Sequence, residues 1–218
     1  MSGLHKLARD NDNKEEIVRL LQNGADINEQ NSYGDTALWC ACQNNHTEIA
    51  EILLKHKKIN VNLQDFNGRS PFYGACWNYS YECSLLMLQD ARVDIDMADN
   101  KGWSPLMRAC YHGNTKIVQL LISFGRNIKI YKKSTEDYSG FYGTINSCST
   151  VLDVAKQKNS TIVKLLQQYQ NNPKETQKTT RNKLSLKGKK IIITMKLSLV
   201  FIFCCCILFE CTNLHKDC

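Results

Sequence analysis

The chain has 218 residues, 43% of them apolar and 22% charged, a mixture that suits one or two globular domains and excludes a collagen-like or wholly disordered polymer. Its net charge of +7 is unevenly placed: residues 1–173 hold 19 Lys and Arg against 18 Asp and Glu, while residues 174–218 hold 9 against 3. A body so near neutrality lacks the basic face of a nucleic-acid-binding domain, and no nucleic-acid partner is expected.

The first residues, Met1-Ser2-Gly3-Leu4-His5-Lys6, are polar and lack the apolar core of a secretory signal. The eleven Cys are therefore expected as thiols rather than as a disulfide framework. Five of them lie in or beyond the apolar run near the C-terminus.

Along the chain, one segment returns three times without gaps. It reads Gly34-Asp35-Thr36-Ala37-Leu38-Trp39-Cys40-Ala41-Cys42, then Gly68-Arg69-Ser70-Pro71-Phe72-Tyr73-Gly74-Ala75-Cys76, then Gly102-Trp103-Ser104-Pro105-Leu106-Met107-Arg108-Ala109-Cys110. The glycines are 34 residues apart, as are Ala41, Ala75 and Ala109, and such a period marks a repeat architecture. Asp65 to Gly68 and Asp99 to Gly102 are turn chemistry, the glycine being free to take positive φ. Thr36, Ser70 and Ser104 stand where a helix N-cap belongs, and Pro71 and Pro105 where the first helical residue needs no N–H. The small Ala41, Ala75 and Ala109 suit close helix packing. Second helices follow at Ile49–Leu54, Ser84–Leu88 and Ile117–Leu121, with apolar pairs at helical spacing.

This pattern resembles the ankyrin repeat, with its Gly-x-Thr-Pro-Leu-His-x-Ala box and Val-x-x-Leu-Leu helix. Weaker copies at Leu4–Asn28 and Leu152–Leu166 extend the resemblance over residues 4–169. It implies an all-α fold, an α-solenoid of stacked helix–turn–helix repeats with finger turns. The repeats fall at about 1–31, 32–65, 66–99, 100–148 and 149–171, within a monomeric domain of residues 1–173. The box His survives only as His5, and Trp39, Tyr73, Met107 and Asp153 replace it later. The glycine ending the first helix survives as Gly113 but is Asn45 and Tyr79 elsewhere. Tyr tolerates a left-handed turn poorly, so the third repeat is expected to be the least regular. Ala109 and Ala155 are 46 residues apart, and the 12 additional residues fall in 132–148 as an enlarged finger loop.

Cys42, Cys76 and Cys110 share the period, but each holds the second small position of a first helix and reads as packing rather than as a metal ladder. No phosphate loop, nucleophile elbow or metalloprotease motif is present, so neither catalysis nor a cofactor is expected. What remains is surface. The resemblance implies a concave face, made by the finger tips and the first helices, that binds an unidentified partner protein. The candidate contacts there are Tyr33, Asp35, Trp39, Phe66, Arg69, Tyr73, Trp77, Lys101, Trp103, Met107, Arg108 and Tyr111, since aromatics and Arg dominate interface energetics.

After Pro173, residues 174–190 read as a basic flexible linker. Residues 191–209 carry one charge, Lys196, and as a helix would span about 28 Å, enough for a bilayer core. Lys187, Lys189 and Lys190 would then hold the repeats on the cytoplasmic side. A short tail, 210–218, completes a tail-anchored scaffold as the alternative function. Two other readings stay open. The apolar core after Lys196 is only 13 residues, short for a span, which leaves weak membrane association or a soluble cytoplasmic protein. Met195–Phe203 also resembles a signal peptide starting at an internal Met, the sign of a faulty reading frame.

Overall fold

A computed structural model describes residues 3–184 except 12, 13, 127, 132, 141, 142 and 158; the apolar run 191–209 and the tail 210–218 lie outside the described residues. Within the described residues the chain forms five helix pairs. They are α1 (Leu4–Asp10) with α2 (Lys14–Gln22), α3 (Ala37–Gln43) with α4 (Thr47–Lys55), α5 (Pro71–Trp77) with α6 (Tyr81–Gln89), α7 (Pro105–Tyr111) with α8 (Thr115–Phe124), and α9 (Val151–Lys156) with α10 (Ser160–Asn171). A further helix, α11 (Pro173–Lys183), follows. The first helices α1, α3, α5, α7 and α9 stack in one row, and α4, α6, α8 and α10 in a second. Neither a first helix nor a second helix could hide its apolar stripe alone; stacking buries Leu38, Phe72, Leu106, Leu53, Met87 and Leu121 between neighbours.

The first helices α3, α5, α7 and α9 start where their hydroxyl residues say they should, while α1 follows Gly3 without a side-chain cap. The Oγ atoms of Thr36, Ser70, Ser104 and Thr150 accept from the N–H of Trp39, Tyr73, Met107 and Asp153 at 3.1, 3.2, 3.2 and 3.3 Å. Asp153 returns a bond to the Thr150 N–H, closing a capping box, and each such cap contributes about 1 kcal/mol. Between the helices of a pair the chain turns through the left-handed region at Asn45, Tyr79 and Gly113 alike, with φ of 59°, 61° and 70°. The third repeat is thus not distorted at Tyr79. Its phenol instead donates to the His112 carbonyl oxygen at 2.5 Å, a bond into the next repeat that offsets the local steric cost.

The fingers are joined to one another by backbone bonds. Phe66 N–H donates to the Tyr33 carbonyl at 3.2 Å, Asn100 to Asn67 at 2.9 Å and Thr135 to Lys101 at 3.0 Å. Gly34 and Gly68 serve this twice over. Their φ values of 82° and 77° are left-handed, and a Cβ on Gly34 would stand 2.6 Å from Phe66 N, one on Gly68 2.7 Å from Asn100 N. Asparagines extend the ladder: Asn28 Nδ2 donates to Lys58 O, and Asn62 Nδ2 to Arg92 O.

The enlarged finger loop of the fourth repeat folds into a small antiparallel hairpin, β1 (Tyr138–Gly140) and β2 (Gly143–Ile145), with Tyr138 opposite Ile145. The insertion leaves the finger register intact. Ser134 N–H donates to Ser149 O and Cys148 N–H to Ser134 O, and Cys148 takes the left-handed position that glycine holds in earlier fingers, with φ 64°.

The expected basic linker begins instead as α11. Pro173 occupies its first turn and the Asn172 side chain accepts from Glu175 N–H. It packs on α8 and α10, burying Thr176 and Thr180. Its sequence, Pro-Lys-Glu-Thr-Gln-Lys-Thr-Thr-Arg-Asn-Lys, has no aliphatic stripe, because the buried face is built from threonine methyl groups whose hydroxyls bond back to the helix's own carbonyls. Under this cover Leu120 and Ile122 of α8 are fully buried, whereas Ile52 and Leu54, their counterparts in α4, are only partly so. No helix of the described residues is long and apolar enough to cross a membrane.

Candidate protein-binding face

The finger turns are fixed by carboxylates and an amide acting on their own backbone. Asn31 Oδ1 accepts from the N–H groups of Tyr33 and Asp35, Asp65 Oδ1 from Asn67 and Arg69, and Asp99 Oδ1 from Lys101 and Trp103. Each turn raises the side chain just before or at its tip into solvent. Tyr33 is 68% and Phe66 66% exposed, and Lys101 is exposed on the following finger. The backbone bond from Phe66 to Tyr33 sets these two aromatics side by side.

Below the tips, along the first helices, lies an alternating row of arginines and aromatic rings. The Arg69 guanidinium sits 4.9 Å from the Trp77 ring and 5.5 Å from that of Trp39. Arg108 lies 4.6 Å from Trp103, 5.3 Å from Trp77 and 5.5 Å from Tyr73. Trp77 is thus held between two cations from adjacent repeats. Each arginine is also paired: Arg69 with Asp65 at 2.5 Å, and Arg108 with Asp99 at 3.4 Å. Tyr73 ties the second pair together, donating to Asp99 Oδ2 at 2.6 Å and accepting from Arg108 Nε at 2.8 Å. Burial, assisted by Asp99, pushes the Tyr73 phenol far above its ordinary value, so it remains the neutral donor this network needs. Gly74 lies against the Trp39 indole, where a Cβ would stand 3.4 Å from Nε1, an ordinary van der Waals contact.

This row changes the list of candidate contacts. Asp35, Trp39, Tyr73, Trp103, Met107, Arg108 and Tyr111 are buried, each 9% exposed or less. The residue types expected at an interface are used here to join one repeat to the next. Arg108 of the fourth repeat bonds to Tyr73 and Asp99 of the third, and within the fourth Trp103 stacks edge-on against Tyr111 at 5.5 Å. Tyr33, Phe66 and Lys101 remain fully available, with Trp77 half-buried and the Arg69 side chain 18% exposed at the floor. One signal in the sequence pointed to the arginine row: Asp65 and Arg69 flank the turn four residues apart, as a paired acid and base would. The reach of Arg108 back to Tyr73, 35 residues earlier, had no such signal.

The thiols at the 34-residue period are interior. Cys42, Cys76 and Cys110 have no exposed surface, and burial raises Cys76 and Cys110 far above the ordinary thiol range. Cys40 is pushed up to about 12, mainly by burial. Such groups stay protonated and make poor nucleophiles.

The family described as ankyrin repeats (three copies) matches residues 4–99, 58–137 and 85–182, which together run from residue 4 to residue 182. The chain belongs to the ankyrin-repeat family. No curated protein matches it. Ankyrin repeats are in general protein–protein interaction modules, and the stacked helix pairs and hydrogen-bonded fingers described above are the framework through which such repeats present a surface. The last match reaches past α10 to residue 182, so that α11 lies within the ankyrin region.

Proposed function

We propose that this ankyrin array is a non-catalytic adaptor that grips a partner protein at the tips of its second and third fingers. The observation that carries this reading is the backbone bond between Tyr33 and Phe66, two exposed aromatic residues on neighbouring turns stiffened by Asn31 and Asp65. Aromatics held on a rigid backbone lose little entropy on binding, which is why they serve as anchors. Lys101 at one side and the Arg69–Trp77 pair at the floor supply a polar margin. The double variant Tyr33→Ala/Phe66→Ala leaves the core untouched. In affinity capture of the full-length chain followed by mass spectrometry, it is expected to lose the specifically bound protein at least about tenfold, with an unchanged thermal melt. Retention of the same partner at the same level would overturn the assignment.

A membrane-tethered scaffold is a second reading, favoured by the single charge within residues 191–209 and by the lysines at 187, 189 and 190 before them. In this form the tail sets the location and the fingers recruit a cytosolic protein. Alkaline carbonate extraction of membranes holding the full-length chain tests it; recovery in the soluble fraction sinks it.

A further inference from the structure

The repeats give each second helix the same outward apolar position, and the array treats it in two ways. Ile52 in α4, Leu86 in α6 and Leu120 in α8 each stand five residues after the first residue of their helix, 34 residues apart. Leu120, under α11, is fully buried, whereas Ile52 and Leu86 stay partly exposed. The uncovered face forms two open grooves. One, of about 490 Å³, lies between α4 and α6 and is lined by Leu54, Leu86 and Lys55 among others. The other, of about 330 Å³, lies between α2 and α4, where Leu21, Ile52 and again Lys55 line it. On the neighbouring repeats the same face is covered by the chain itself. Helix α11 starts directly after α10, and its Arg181 bonds the last turn of α8, so the chain has already turned back from the fifth repeat to the fourth. Leu184, the last described residue, still packs against the core. The same heading leads to α6 and then to α4, at about 10 Å per helix. Residues 185–190 reach at most about 20 Å, enough to bring residue 191 to the first groove. There the run 191–209 begins, with one charge, and its length as a helix, about 28 Å, is close to the width of α6, α4 and α2 side by side.

We propose that residues 191–209 fold back onto the chain's own second helices and fill the grooves between α2, α4 and α6, continuing the cover that α11 begins. The driving force is the removal of two apolar surfaces from water at once, that of the run and that of Leu21, Ile52, Leu54 and Leu86. The docked run also closes this side of the array to other proteins and leaves the finger tips as the face for partners. It uses the same residues that the membrane-tethered reading sends into a bilayer, and the two arrangements exclude each other.

In the test, the full-length chain, mixed in equal parts from nitrogen-15-labelled and unlabelled preparations, is treated with an amine-reactive crosslinker and digested. Lys55, which lines both grooves, is expected to be joined to Lys196 in peptide pairs that are both labelled or both unlabelled. Pairs of mixed label would seat the run on a second copy and overturn the proposal, as would absence of the Lys55–Lys196 link. In a flotation gradient with phosphatidylcholine–phosphatidylserine vesicles, the chain is expected to stay at the bottom; rising with the vesicles overturns the proposal in favour of the bilayer. The double variant Leu54→Glu/Leu86→Glu is expected to speed tryptic cleavage after Lys196 at least about tenfold, since cleavage follows the population of the open form. An equal rate in a variant that melts as the wild type does overturns the proposal too. Should the variant fail to fold, the crosslinking and flotation of the wild-type chain decide by themselves.

Discussion

Arg181, near the end of α11, donates from Nε and Nη2 to the carbonyl oxygen of Ser123 at 3.1 and 2.7 Å, reaching back 58 residues to the last turn of α8. It completes a series. Arg92 Nη2 donates to Leu54 O at the end of α4, and Arg126 to the carbonyls of Asp90 and Val93 just beyond α6. At the ends of α4, α6 and α8 the carbonyls lack an intrahelical donor and carry the negative end of the dipole, so a guanidinium from the next unit satisfies both needs. The fifth repeat has no arginine in that position, and α11 supplies one.

Arg181→Ala is therefore expected to lower the stability of the array by about 1–2 kcal/mol, with Arg181→Lys recovering part of the loss. Urea unfolding followed by circular dichroism measures it. Unchanged unfolding in the alanine variant would mean that α11 adheres through its threonines alone.

Arg108 carries a larger share of the fold. Replacing it by Leu leaves the Asp99 carboxylate, whose side chain is only 6% exposed, without its cation and deprives Tyr73 of a donor. A loss of about 3 kcal/mol or more is expected, because an uncompensated buried charge is dearer than the pair was strong. Adding Asp99→Asn to Arg108→Leu is expected to restore part of it, since that carboxylate is the unpaired charge. A double-mutant cycle in which the two costs simply add would show that the pair is not coupled.

His112 gives the array a pH dependence of predictable sign. Burial first, and then the Arg108 charge, pull its folded value from 6.5 down to about 4. Between those values the unfolded chain takes up a proton that the folded chain refuses, so stability falls as pH drops from about 6.5 toward 4. The contribution is on the order of 2 kcal/mol, after discount for the partial exposure of the ring. His112→Gln keeps the backbone carbonyl that Tyr79 uses and is expected to flatten the slope in that window. Parallel stability–pH curves for the two proteins would refute it.

The limits of legibility follow particular residues. Gly68, Ser70 and Pro71 announced the finger, the N-cap and the first turn of α5, because each acts on backbone within one turn of itself. Tyr33 and Phe66 could be placed at the tips for the same reason. Trp103 and Tyr111 could not be told from partner-binding aromatics by type; their burial depends on what the neighbouring repeats set against them. The polar composition of α11 concealed a helix whose packing face is threonine methyl groups.

From the amino-acid order alone came the period, the helix starts and the finger turns, all governed by caps, glycines and prolines whose effects end a few residues away. Tertiary packing decided which side chains meet solvent, where the arginines find their carboxylates and carbonyls, and how the last polar segment is put to use. The bonds from Arg108 to Tyr73 and from Arg181 to Ser123 span 35 and 58 residues, and such partners come together only when the repeats stack.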